Sequence, residues 1–229
     1  MNPTKSAIDS LMHFEPLAQL ALQRYQITPD GIMAEGNHGT PVDGDDFVVA
    51  LMELYCDVDL FDAARFESFA LPSILEYLER THALYEMVLI PKIEQAVVSI
   101  QRLFPDHVIG DVLADFIMHY KRELLEHIDF EESKFFPYVR RLLLGNTRDL
   151  SAEYFDEKHD HSLEAGLEQL LDLIVRDYAE VARSFAYKGL KNLVGQFLLD
   201  LRVHHLIEEQ VLLPRVKQLE KDANRMPFQ

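Results

Sequence analysis

Apolar residues recur at three- and four-residue intervals over long stretches of this chain, and nowhere do they alternate with polar ones as in a half-buried strand. A first helical stretch lies within residues 10–25, where Leu17, Leu20 and Ala21 fall on one side and Pro16 suits a helix start. Residues 28–46 hold four glycines and two prolines, which is turn chemistry. A short helix is expected over 45–55, and a helical turn or two over 58–70. From Leu71 the periodicity lengthens. Pro72 suits the first turn of a helix that continues over 74–104, and Pro105 with Gly110 marks its end. A second long helix is expected over 112–144, stopping at Gly145-Asn146. Ser151 to Glu153 opens a third, reaching about Val175, and a fourth covers 185–220.

These elements predict an all-α protein. Residues 71–220 read as an up-down four-helix bundle with short connections. Residues 1–70 form a small, mostly helical extension, and 221–229 a frayed tail. Pro91, Pro137 and Pro214 fall inside helical stretches, where each removes a backbone donor and should kink or end its helix.

Composition narrows the function classes. The 229 residues are 48 % apolar, enough for one domain of about 150 residues plus an appendage. The net charge of −17, from 39 acidic and 22 basic residues, argues against nucleic acid or an anionic membrane surface as partner. Cys56 is the sole cysteine, so neither an internal disulfide nor a thiolate metal cluster can form. The first ten residues lack a signal peptide's basic and apolar regions, and no run of about 18 apolar residues exists. The expectation is a cytoplasmic protein.

The ten histidines carry the chemistry through their spacing. One stretch runs His127-Ile-Asp-Phe-Glu131-Glu132-Ser-Lys-Phe-Phe-Pro137-Tyr-Val139. A second runs His204-His-Leu-Ile-Glu208-Glu209-Gln-Val-Leu-Leu-Pro214-Arg-Val216. Both read H-x-x-x-E-E-x-x, two apolar residues, P-x-V. His82 lies 45 residues before His127, and His159 lies 45 before His204. Positions i and i+4 share a helix face, so His127 with Glu131, and His204 with Glu208, can each ligate a common centre. His82 and His159 would each add a ligand from the partner helix of their repeat. Four imidazoles and two carboxylates would then meet in a bundle interior. Two divalent ions bring four positive charges and two glutamates offset half; six protein ligands cannot saturate two six-coordinate ions even if both glutamates bridge, so coordination positions stay open for a small ligand.

A lone His–Glu pair at this spacing is usually a surface pair, and His119 with Glu123 and His82 with Glu86 fit the bare pattern too. The shared proline, apolar doublet and 45-residue interval set 127/131 and 204/208 apart. His161 is the alternative to His159; the two point about 200° apart, and the matched interval favours His159. Glu86 is a possible additional ligand, although its repeat counterpart is Leu163. His205, Glu132 and Glu209 belong to the flank. Glu79 and Asp156 each stand three residues before an upstream histidine. They read equally as carboxylates supporting an imidazole N–H and as exposed acids.

With these residues in hand, the set His82, His127-x-x-x-Glu131, His159 and His204-x-x-x-Glu208 resembles the hemerythrin-like, HHE cation-binding domain, over roughly residues 71–220. Glu131-Glu132-Ser-Lys-Phe-Phe-Pro137 and Glu208-Glu209-Gln-Val-Leu-Leu-Pro214 are similar to that family's Glu-Asn-x-x-Leu-Phe-Pro stretch. The resemblance implies a four-helix bundle around a non-haem di-iron centre; manganese and zinc are the other metals considered. The oxygen carriers of the family have a further histidine where this chain has Leu163, and a histidine–aspartate pair where it has His204 and Glu208. Four histidines with two glutamates are closer to the di-iron iron–sulfur cluster repair proteins, whose N-terminal cysteine pair is absent here. The implied function is binding of, or reaction with, oxygen, nitric oxide or peroxide, in iron-centre repair or nitrosative and oxidative stress. The alternatives are a sensing or binding module acting on a protein partner or a second copy, and a ferritin-like di-iron oxidase. Glu79-x-x-His82 supports the oxidase weakly, because that family needs two such motifs.

Overall fold

The structure, a computed structural model, describes residues 17–25, 43–145 and 162–225. All regular elements among them are helical. Helix α1 spans Ala18–Gln23 and α2 spans Gly44–Cys56. A 3₁₀ turn, Val58–Leu60, and a short α3, Ala63–Glu67, follow. Helix α4 is Leu71–Leu84, α5 Ile90–Leu103, α6 Ile109–Phe130 and α7 Phe136–Leu143. Then come α8, Ser162–Asp177, the short α9, Ala179–Arg183, α10, Phe185–Ile207, and α11, Leu213–Arg225. Among the described residues, no helix is long and apolar enough to cross a membrane.

The four long helical stretches match the periodicity, with two changes at their edges. Helix α2 opens at Gly44, with φ 65°, one residue before its expected start at 45. The last helix persists to Arg225, beyond the expected end at 220. The stop expected at Gly145 is seen, with α7 ending at Leu143 and Gly145 following at φ 79°; the start expected at 151 lies outside the described residues.

The three internal prolines do not stop their helices. Each is preceded by one five-residue π turn, Tyr85–Leu89, Glu131–Phe135 and Glu208–Leu212, and each sits second in the α-helix that follows. A proline in an α-helix lacks the N–H owed to the carbonyl four residues back, and its ring collides with that carbonyl. A wider turn relieves both problems by moving hydrogen bonds to the fifth residue. The N–H of Phe136 bonds the Glu131 carbonyl and that of Leu213 bonds the Glu208 carbonyl, five residues back in each case. Proline then occupies the first turn of a new helix, where its missing donor costs little.

The chain divides into two compact units. The first takes in Met1–Leu84, Tyr138–Glu153 and Leu199–Gln229, the second Tyr85–Pro137 and Tyr154–Leu198. In the first, α1 packs on α2, burying Ala18, Ala21 and Leu22 with Phe47, Val48 and Leu51. Phe47 meets Phe66, Phe69 and Tyr77 edge-on. Asp43 leads into α4: its carboxylate accepts the Ala70 N–H at 2.8 Å, and its own N–H donates to Ser73 Oγ. In the second unit, α5 and α6 form a pair that buries Ile93, Val97 and Ile100 with Ile109, Leu113 and Ile117. Phe197 lies edge-on to both Tyr85 and Tyr120.

Gly110 sets how closely α5 and α6 meet. A Cβ there would stand 2.8 Å from Gln101 Cγ and 3.2 Å from its Cα, against backbone that cannot yield. Gly110→Val should therefore lower stability by about 1–3 kcal/mol. Urea unfolding would read this as a lower midpoint, and an unchanged midpoint would refute the close packing.

Candidate metal centre

Both units carry histidine and glutamate donors. In the first unit they are His82 on α4, His204 on α10 and Glu208, the first residue of its π turn. The His82 and His204 rings lie 5.1 Å apart between centroids, and each offers a nitrogen within 4.8 Å of the other's. His204 Nε2 is 3.4 Å from Glu208 Oε2. All three side chains are essentially closed to solvent, at 1 %, 1 % and 0 % exposure.

Burial controls the state of His204. Desolvation disfavours its cation and pushes its pKa down to about 3, with the neighbouring His82 and His205 acting in the same direction and Glu208 against it. The ring is therefore neutral, the form in which imidazole donates a lone pair to a metal.

In the second unit, His127 lies on α6 and Glu131 opens the next π turn. His127 Nε2 stands 3.1 Å from Glu131 Oε1; the glutamate is buried and the histidine half-buried. Among the described residues, groups of histidine and glutamate drawn from these donors could hold a metal ion. Two imidazoles with a carboxylate suit iron, manganese or zinc. The donor chemistry fits the expected group.

The sequence reading sends donors of both repeats to one site, and the structure brings His82 of one repeat beside His204 of the other.

The remaining candidates separate by exposure. Glu86 is exposed, so it does not extend the set. It falls within the π turn Tyr85–Leu89, where the α-helical i,i+4 geometry with His82 no longer applies. Glu79 has its carboxylate bound by Arg140 at 2.7 Å, at a part-exposed position, which is the surface-acid reading of that residue. Glu132 and Glu209 are exposed and His205 half-buried. His119 and Glu123 approach to 2.9 Å with half and a third of their side chains in solvent, the behaviour of an ordinary surface pair. His159, its alternative His161, and Asp156 lie outside the described residues.

Sequence reasoning missed a cluster one turn from the first set. Arg24, Thr81 and Asp200 are buried and mutually bonded. No motif links them, and Arg24 and Asp200 stand 176 residues apart.

No protein-family model, curated protein or solved structure matches the chain. Its function is therefore argued from the donors themselves. Glu208→Ala should lower the metal bound per chain, whereas Glu209→Ala, one residue along and exposed, should leave it unchanged. Metal analysis after dialysis decides this; equal stoichiometry in the two variants would contradict the assignment.

Proposed function

We propose that the chain is a non-haem di-iron protein of hemerythrin-like type whose donors are His82, His127, Glu131, His159, His204 and Glu208. The observation that carries this reading is the burial of both repeated glutamates, each beside its histidine, when the same spacing at His119 and Glu123 is solvated. The up-down four-helix bundle is part of the same proposal, supported by the four long helical stretches.

Iron held by these donors supplies open coordination positions and one-electron chemistry toward oxygen, nitric oxide or peroxide. The protein's own contribution is to the environment. His204 stays neutral and serves as donor across the physiological pH range. Glu208 and Glu131 offset part of the metal charge, and a carboxylate with two oxygens can bridge two ions. Val203, Ile207, Val211 and Leu212 flank His204 and Glu208 in sequence and are fully buried, so that stretch is poor in water. Low local polarity strengthens every electrostatic interaction made there.

Reaction with nitric oxide or peroxide, in iron-centre repair or stress defence, is the preferred role. Cys56 is half-buried and has no partner cysteine in the chain, so thiol-pair chemistry is no part of it. A sensing role is the second reading. It is favoured by the direct bonding of α1, from the N-terminal region, to the helices that bear His82 and His204.

Protein purified from its host should contain iron, and stoichiometric zinc without iron would overturn both readings. Anaerobic stopped-flow mixing then separates them. The repair or defence role predicts rapid oxidation by oxygen and fast reaction with nitric oxide. A long-lived spectrum distinct from those of reduced and oxidised protein would instead select reversible binding.

A further inference from the structure

Arg24 is a cation with no exposed side-chain surface. Its guanidinium uses its full fork. Nε donates to Thr81 Oγ1 at 2.6 Å, one terminal nitrogen donates to the Leu20 carbonyl at 2.8 Å, and the other pairs with Asp200 Oδ1. The Tyr55 and Tyr77 rings lie about it, with centroids 5.2 and 5.0 Å from Cζ. Thr81 is itself fixed, donating to the Tyr77 carbonyl at 2.8 Å.

The positions of these partners matter more than their number. Thr81 immediately precedes His82 on α4. Asp200 stands four residues before His204 on α10, on the same face one turn away. A single planar group thus bonds both ligand-bearing helices of the first unit beside the point where the His82 and His204 rings approach. A bidentate, rigid donor fixes the axial register of two helices in a way that a flexible ammonium does not. Register decides the distance between two ligands that must converge on one ion, and sub-ångström errors there cost affinity.

We infer that Arg24 is the positioning residue of the His82–His204–Glu208 set, and that docking of α1 and metal binding at that set are therefore coupled. The inference rests on the metal-site reading above. Coupling is reciprocal: if docked α1 tightens metal binding, bound metal holds α1 more firmly by the same factor. Helix α1 is then a reporter of metal occupancy, which gives the N-terminal region a function that needs no cysteine.

The test uses the full chain, anaerobically, with Fe(II) or its spectroscopic substitute Co(II). Hydrogen exchange of residues 18–25 should slow about fivefold or more on metal loading, the lower end of typical allosteric couplings. Thr81→Val keeps the side-chain shape but loses the bond to Arg24. It should weaken one step of the Co(II) titration by a similar factor, with the absorption bands of that step altered and the other step unmoved. Arg24→Lys should show a partial form of the same defect and Arg24→Leu, if it folds, the full one. A merely structural role would shift both steps together with the unfolding midpoint, and that result would overturn the inference. So would wild-type titrations in Thr81→Val and Arg24→Lys, or exchange in α1 that ignores metal. If the wild-type chain binds no metal at all, the site reading falls and takes the inference with it. If it binds metal with α1 unaffected, only the inference falls.

Discussion

Glu131 and Glu208 hold their carboxylates at 1 % and 0 % exposure, among histidines that are themselves largely closed to water. Burying an ionised carboxylate is costly unless charge and hydrogen bonds compensate it. The histidine one turn earlier supplies part of that compensation in each case. His204, however, is held neutral by the same burial, so it brings no full positive charge of its own. In the proposed centre a cation would add positive charge beside these carboxylates and would take the lone pair of the neutral His204 ring. This balance is the physical core of the metal proposal.

The backbone around the carboxylates answers a second constraint. Pro137 and Pro214 each stand six residues beyond a buried glutamate and would break the α-helical ladder between. The π turns Glu131–Phe135 and Glu208–Leu212 absorb that break and begin at the glutamates themselves. The Glu131 and Glu208 carbonyls are thereby tied to Phe136 and Leu213, which anchors each side chain from its own main chain. Such turns concentrate at functional sites because they re-aim side chains without ending the helix. Pro91, following the π turn Tyr85–Leu89 just after His82, repeats the device.

What was legible in the sequence is what periodicity and spacing carry. The long helical stretches, the turn at Pro105 and the two repeated His–Glu pairs, whose glutamates are buried, could all be read before any coordinates. The π turns could not, because α and π segments share apolar periodicity over five residues; the recurrent prolines were the available signal and pointed to kinks instead. Glu86 fitted the i,i+4 rule with His82, yet the rule assumes an α-helix and Glu86 lies in a π turn. Arg24 and Asp200 were invisible because a single charge in a short apolar stretch looks solvated until its distant partner is known.

The most direct measurement is anomalous diffraction from crystals of the full chain grown with its native metal, recorded at that metal's absorption edge. The account predicts strong anomalous density within coordination distance, about 2.0–2.2 Å, of His82, His204 and Glu208, with further density at His127 and Glu131. Absence of density at these residues, or density confined to surface groups such as His119 with Glu123, would contradict it.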